Sequence, residues 1–326
     1  MFIGNRGVLV LWKADDLKQQ DFPVSVILIN TMRASHWIAV GILAGSALLC
    51  VSGGVILAEG ALRPPRRPVA SISSNSSIQT REIRAQDGAR LRAWIVFPAA
   101  PSGNCVMVLH GVGDTRQSSL GFAPLFSAQH YTVLMPDSRA HGDSEGDITT
   151  YGVREADDVR RWVDRLITSE ACQRVYGQGE SLGGGILLQS LATERRFRAV
   201  VAECAFASLE RIGEDRVGQL LRLPPTLGRV VAVPLVRCAS LYCQLRYKMD
   251  ASAASPEDAV TRTLTSILLI HGLNDRKTSP EHSRILASRN PQIVLWLVPG
   301  AAHTNAWAVA PDEFPRRVLG WFASHQ

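Results

Sequence analysis

Gly179-Glu180-Ser181-Leu182-Gly183 is the stretch on which the reading of the fold turns. It follows a short apolar run, Arg174-Val175-Tyr176-Gly177, and precedes a helical-looking stretch from Gly184 to Ala192. In a strand, sharp turn, helix setting, a G-x-S-x-G turn lifts a serine Oγ clear of the end of a sheet and holds its backbone under strain. Glycine on either side lets neighbouring backbone approach where a Cβ would collide. A serine hydroxyl is a weak nucleophile until a base takes its proton, so the motif directs attention to a histidine and an acid further along the chain.

Working outward, the segments on both sides alternate between strand and helix. Ile78 to Ile83 and Leu91 to Phe97, separated by Gln86-Asp87-Gly88, predict an antiparallel hairpin with an Asp-Gly turn. Cys105 to Leu109 is a continuous apolar run of strand length, as expected where both sheet faces are covered, and it ends in His110-Gly111-Val112-Gly113-Asp114. Tyr131 to Met135 predicts the next strand, closing on Pro136-Asp137-Ser138-Arg139-Ala140-His141-Gly142-Asp143-Ser144. Ala156, Val159, Val163, Leu166 and Ile167 recur at the spacing of one helical face. Further strands are predicted at Ala199–Ala202, Ile267–Ile270 and Ile293–Val298, with a closing helix over Asp312–Ala323. Together these predict an α/β fold built on a mostly parallel, doubly wound sheet with helices on both faces. Ala207 to Thr263 interrupts the sheet and carries apolar residues among Arg and Pro, which predicts a small helical cap; ordinary core packing accounts for the same residues.

Over about residues 78–326 the chain resembles the α/β-hydrolase family. The resemblance rests on His110-Gly111, Asp137…His141-Gly142-Asp143-Ser144, Gly179-Glu180-Ser181-Leu182-Gly183, His271-Gly272…Asp275 and Gly300-Ala301-Ala302-His303. The short His-Gly-Val-Gly-Asp and the acid after the seventh strand are similar to the serine-aminopeptidase-like and monoacylglycerol-lipase-like branches. That likeness implies hydrolysis of an ester, lipid or peptide and names no single substrate. In such folds the catalytic residues follow the order Ser, acid, His. The chain supplies Ser181 as nucleophile, Asp275 as the orienting acid and His303 as the base. An unperturbed imidazole titrates near about 6.5, so a histidine can accept a proton and return it at neutral pH. His282, expected to be solvated on a helix from Glu281 to Ser288, and His325 are the rivals to His303; Asp250 and Asp258 are the rivals to Asp275. The backbone N–H groups of Leu182 and Val112 are the expected oxyanion donors, and His110 is expected to orient their loop. Asp137, Arg139 and His141 lie on one loop without further ligands, so neither a metal nor another cofactor is expected.

The amino-terminal region reads differently. Residues 1–36 have mixed charge and no clear period, and Met32 is an alternative start. Residues 37–58 are uncharged throughout, and a helix of that length would reach about 33 Å, enough for a hydrocarbon core of about 30 Å. A transmembrane anchor is therefore expected there, with a cleaved signal or a core helix as the alternatives. A Pro/Arg/Ser-rich linker is expected over 59–77. Counting Arg63, Arg66 and Arg67 places the catalytic part in the cytoplasm, whereas a short basic stub at Met32 places it outside; the side stays open.

Composition narrows the classes. The 326 residues are 46% hydrophobic and 20% charged, values that suit one α/β domain with an appendage. The formal charge of +6 comes from scattered arginines with no interleaved aromatic ladder, so nucleic acid is not an expected partner. None of the six cysteines forms a C-x-x-C pair, which removes zinc ribbons and thioredoxin-like chemistry. Cys50, Cys105, Cys172 and Cys204 are expected as small core residues, and Cys238 with Cys243 as a disulfide in an oxidising compartment only. The expected partners are thus a small-molecule ester, lipid or peptide substrate and a membrane. Two rival functions stand beside ester hydrolysis: a catalytically silent scaffold binding a ligand or partner, and an acyltransferase using the same three residues.

Overall fold

The computed structural model describes residues 24–71 and 77–326; the tail over 1–23 and the linker residues 72–76 lie outside the described residues. Eight strands form one sheet in the order β1-β2-β4-β3-β5-β6-β7-β8. The hairpin β1 (Ile78–Arg84) and β2 (Arg90–Val96) is antiparallel, with Ile83 opposite Leu91. β2 is also antiparallel to β4 (Thr132–Pro136), and every later pairing is parallel: β3 (Asn104–Leu109), β5 (Arg174–Glu180), β6 (Phe197–Glu203), β7 (Ser266–Gly272) and β8 (Ile293–Val298). Parallel strands need long crossovers, and here helices supply them.

Alternation along β3 shows why both faces must be covered. Cys105, Met107 and Leu109 enter one apolar layer, and Val106 and Val108 the other. The first layer is closed by α4 (Glu155–Ser169), α5 (Leu182–Ser190) and α9 (Glu281–Arg289), through Trp162, Leu166, Leu187 and Leu286. The second is closed by α11 (Glu313–Ala323) and by the short α3 (Ala123–Ser127), which follows α2 (Arg116–Ser119), with Phe126, Phe314 and Phe322 fully buried. Between β6 and β7 the cap forms two helices, α6 (Leu209–Leu221) and α7 (Pro225–Tyr247), and returns through α8 (Pro256–Ala259). The short α10 (Ala306–Val309) follows β8.

Helix α1 runs from Val24 to Leu62, past both ends of the expected 37–58 span. The chain divides at 49/50 into two compact units, the first ending at Leu49 and the second holding everything from Cys50 onward. Side chains 36–49 in the first unit are exposed and, apart from His36 and Ser46, apolar, and His36–Leu62 is a candidate membrane span by length and composition; Thr226–Tyr247 of α7 is another by the same measure. In the second unit, Ala58 and Leu62 are buried against the cap.

Four expectations need correction. The 59–77 linker does not begin at 59: helix α1 extends to Leu62, and Arg66 donates to the carbonyls of Gly142, Ser144 and Gly146 at 3.2, 2.6 and 2.9 Å. Cys105 and Cys172 are not separate core thiols but form a disulfide, because β3 lies beside β5 and Cys172 stands two residues before the start of β5. Cys238 and Cys243 cannot bridge, since five residues along one helix are about 140° apart. His282 is not solvated: it is buried, accepts the Ala207 N–H at 3.0 Å on Nδ1 and meets Asp215 at 3.1 Å through Nε2, tying α9 to α6.

Candidate active site

The turn after β5 is built by exclusion of side chains. A Cβ on Gly179 would lie 2.5 Å from the Gly183 carbonyl carbon, and one on Gly183 would collide with the Leu109 carbonyl. Only glycine at both positions lets the start of α5 pack onto the ends of β3 and β5. Ser181 between them has φ +50° and ψ −112°, a strained backbone outside the regions ordinary residues adopt. Its amide donates to the Glu203 carbonyl at 2.8 Å, which fixes the turn to β6.

The structure brings Ser181, His303 and Asp275 together from three loops. Nε2 of His303 lies 3.0 Å from Ser181 Oγ, and Nδ1 lies 2.7 Å from Asp275 Oδ2. A carboxylate only accepts, so Nδ1 carries the proton and Nε2 is free to accept from the serine hydroxyl. Asp275 is buried and receives the amides of Lys277 and Thr278 on Oδ1 at 2.8 and 2.9 Å. Burial alone pushes its carboxyl up, but hydrogen bonds from His271, His303 and the Thr278 amide together hold it well below the usual carboxylate range. The rivals lie elsewhere. Asp250 caps the turn at Ser252, Asp258 accepts from the Ser255 hydroxyl, and His325 bonds the Trp321 carbonyl.

The loop carrying Val112 is held by two buried histidines. His110 donates Nδ1–H to the Gly111 carbonyl at 2.8 Å and accepts the Ser138 amide on Nε2 at 3.0 Å. His141 accepts the Gly113 amide on Nε2 at 3.0 Å and donates Nδ1–H to the Arg139 carbonyl. Burial, reinforced by the neighbouring His141, lowers the pKa of His110 to about 4, so this ring stays neutral and can accept at Nε2. Val112 and Leu182 both border a cavity of about 180 Å³ that opens beside Ser181. As the first residue of α5, Leu182 has an amide without an intrahelical acceptor.

Asp137 and Arg139 are committed to ion pairs. Asp137 is bonded to buried Arg116, and Arg139 pairs with Asp158 at 2.7 Å and Asp87 at 2.8 Å. Beneath the triad, Cys204, His271 and Asp275 bring their ligand atoms within 4.8 Å of one another. Their chemistry does not fit a metal. Nε2 of His271 donates to the Thr278 carbonyl at 2.9 Å and Nδ1 meets the Ser283 hydroxyl at 2.6 Å, so both ring nitrogens are occupied.

Two residues that support this arrangement received no role from the sequence: His271, quoted only as part of a motif, and Glu203. His271 also lies 3.3 Å from Asp275 Oδ2. Glu203, at the carboxyl end of β6, accepts the Ala306 amide at 3.0 Å and so secures the chain three residues beyond His303. Burial raises Glu203 to about 7, against the opposing Ala306 hydrogen bond. Its signal in the sequence is an acid closing the apolar run Ala199-Val200-Val201-Ala202.

Comparison with known proteins gives the same architecture. The profile of the alpha/beta hydrolase family matches residues 106–317. YqkD of Bacillus subtilis is 29% identical over 175 residues, covering 53% of this chain and 55% of that protein, so the chain spans about half the length of this relative. The quorum-quenching protein AidA of Acinetobacter baumannii is 26% identical over 211 residues, covering 56% of this chain and 67% of that one. Among solved structures, the Pyrococcus furiosus esterase Pf2001 superposes with a TM-score of 0.64 at 23% identity, over 81% of this chain and 99% of that one.

Proposed function

The chain belongs to the alpha/beta hydrolase family, and from that premise we propose that it is a membrane-anchored serine hydrolase cleaving a carboxylic ester or related acyl bond. The observation that carries this reading is the unbroken hydrogen-bonded series from Ser181 Oγ through His303 to Asp275, at 3.0 and 2.7 Å. As Ser181 Oγ attacks the acyl carbon, His303 Nε2 takes its proton, and Asp275 holds the ring and balances its charge. The carbonyl oxygen becomes an oxyanion facing the amides of Val112 and Leu182. Collapse expels the alcohol, which takes the proton from His303 and leaves an acyl-serine. Water then repeats the sequence, giving its proton to His303 and releasing the acid.

An ester with an apolar acyl group is favoured by the cavity beside Ser181, whose walls include Leu182, Phe206 and Ile212. Membrane attachment is supported by the long apolar helix α1. The test is labelling of the full-length chain in detergent with a fluorophosphonate probe. Labelling is expected in the native chain and absent in Ser181→Ala; equal labelling of the two ends the proposal. Retention in the membrane pellet after an alkaline carbonate wash is the expected result for the anchor, and release withdraws that part alone.

A further inference from the structure

We infer that the carboxyl-terminal end of helix α1 is part of the substrate site: it forms one wall of the acyl cavity and sets the chain length accepted there. This rests on the hydrolase reading for the identity of the ligand, a straight-chain fatty acyl group, but not for the geometry. Leu57, Ala58 and Ala61 of α1 line the same cavity as Ser181, together with Ile212 of α6 and Val236 and Ala239 of α7. All six are apolar, and three are alanines that leave open space where a larger residue would fill it.

The wall is held in place from several directions. Gly54 lets α1 press onto α7: a Cβ there would lie 2.6 Å from Cys238 Cβ and 2.8 Å from the Ala239 amide nitrogen. Glu59, five residues further, accepts the hydroxyls of Tyr242 and Tyr247 at 2.7 and 2.5 Å. At the end of the helix the Leu62 carbonyl accepts the Thr149 amide at 2.9 Å, and the Ala61 carbonyl accepts the Tyr151 hydroxyl at 3.1 Å. Tyr151 itself borders the cavity. A helix needed only as a tether has no reason for such fixing. A helix that bounds a ligand must be held to fractions of an ångström, because interiors are close-packed and a single methylene is felt.

Transfer of each acyl methylene into this space raises kcat/KM by about fourfold, so chain-length preference reports on the wall directly. The experiment uses the full chain in detergent with p-nitrophenyl acetate, octanoate and dodecanoate, read as ratios of kcat/KM, which do not depend on the amount of folded protein. Ala58→Phe is expected to lower the octanoate-to-acetate ratio at least tenfold. Leu57→Ala is expected to raise the dodecanoate-to-octanoate ratio. Leu49→Ala, on the exposed part of α1, is expected to leave both ratios unmoved. A second measurement is independent of turnover: diazirine-bearing octanoic acid is photolysed with the native chain and with Ser181→Ala, and the attachment sites are mapped by mass spectrometry. Attachment within residues 57–61, displaced by excess octanoate and lost in Ala58→Phe, supports the inference. Unchanged ratios in both cavity variants, or displaceable attachment only outside α1, overturn it. Attachment at 57–61 in a chain that hydrolyses none of the esters ends the hydrolase proposal and leaves the wall standing.

Discussion

His271 Nε2 lies 3.3 Å from Asp275 Oδ2, the carboxylate oxygen that His303 Nδ1 also meets at 2.7 Å. One oxygen thus faces two imidazoles, and His271 is itself fixed by Thr278 and Ser283. We predict that His271→Leu, which removes the polar ring held beside this carboxylate, lowers kcat about 10–100-fold with KM little changed. A steady-state comparison on one short ester checks this. A loss confined to KM would remove His271 as a positioning residue.

Asp275→Asn is expected to lower kcat by about 10⁴ while the fold is retained, since the amide cannot hold His303 with its Nδ1 proton inward. Single-turnover acylation with a chromogenic ester is the measurement. Activity within a factor of ten of the native chain would mean that another acid serves His303.

The pH dependence of stability should carry the mark of Glu203. Burial raises this acid from 4.5 to about 7 in the folded chain. Below 4.5 folded and unfolded chains both hold the proton. As pH rises through 4.5 the unfolded chain releases it first, so stability falls until the folded group ionises near 7. Glu180, raised to about 8 by burial and then by the charges of Glu203 and Asp114, extends the decline in the same direction. Glu203→Gln keeps an acceptor for the Ala306 amide and is expected to flatten the fall in melting temperature between about pH 5 and 8. An identical slope in the variant would rule out Glu203 as its source.

The Cys105–Cys172 bridge closes a separation of 67 residues. From the chain entropy it removes, its loss in a Cys105→Ala/Cys172→Ala chain should cost about 4 kcal/mol. Denaturant titration of the native chain with and without reductant measures the same quantity. Coincident curves would show that the bridge is not formed in solution, and a shift would show that it contributes to stability.

Legibility in the sequence followed the range of the interaction. Ser181, Asp275 and His303 could be picked out because each follows an apolar strand run, and chain order alone set them in sequence. The two-sided burial of β3 was visible in Cys105–Leu109 for the same reason. What escaped depends on neighbours distant in the chain. The partner of Cys105 is decided by β3 lying next to β5. The burial of His282 is decided by the cap folding back over α9. The end of α1 looked like the edge of a membrane span because hydrophobicity does not distinguish lipid from a protein cavity as the surrounding medium. Arg66 read as a linker charge because the carbonyls of Gly142, Ser144 and Gly146 that receive it lie in a loop about eighty residues on.

The clamp between Arg66 and that loop bears on how the protein should be produced. A soluble fragment begun at Ile78, the natural choice from hydropathy, would discard the guanidinium that gathers three carbonyls, and with it the helix end that shields Tyr151 and Thr149. Such a fragment would keep Ser181, His303 and Asp275 but expose a flank that the full chain covers, so its substrate selectivity is expected to differ from that of the full chain. Expression designs that aim to preserve native behaviour should start no later than Cys50.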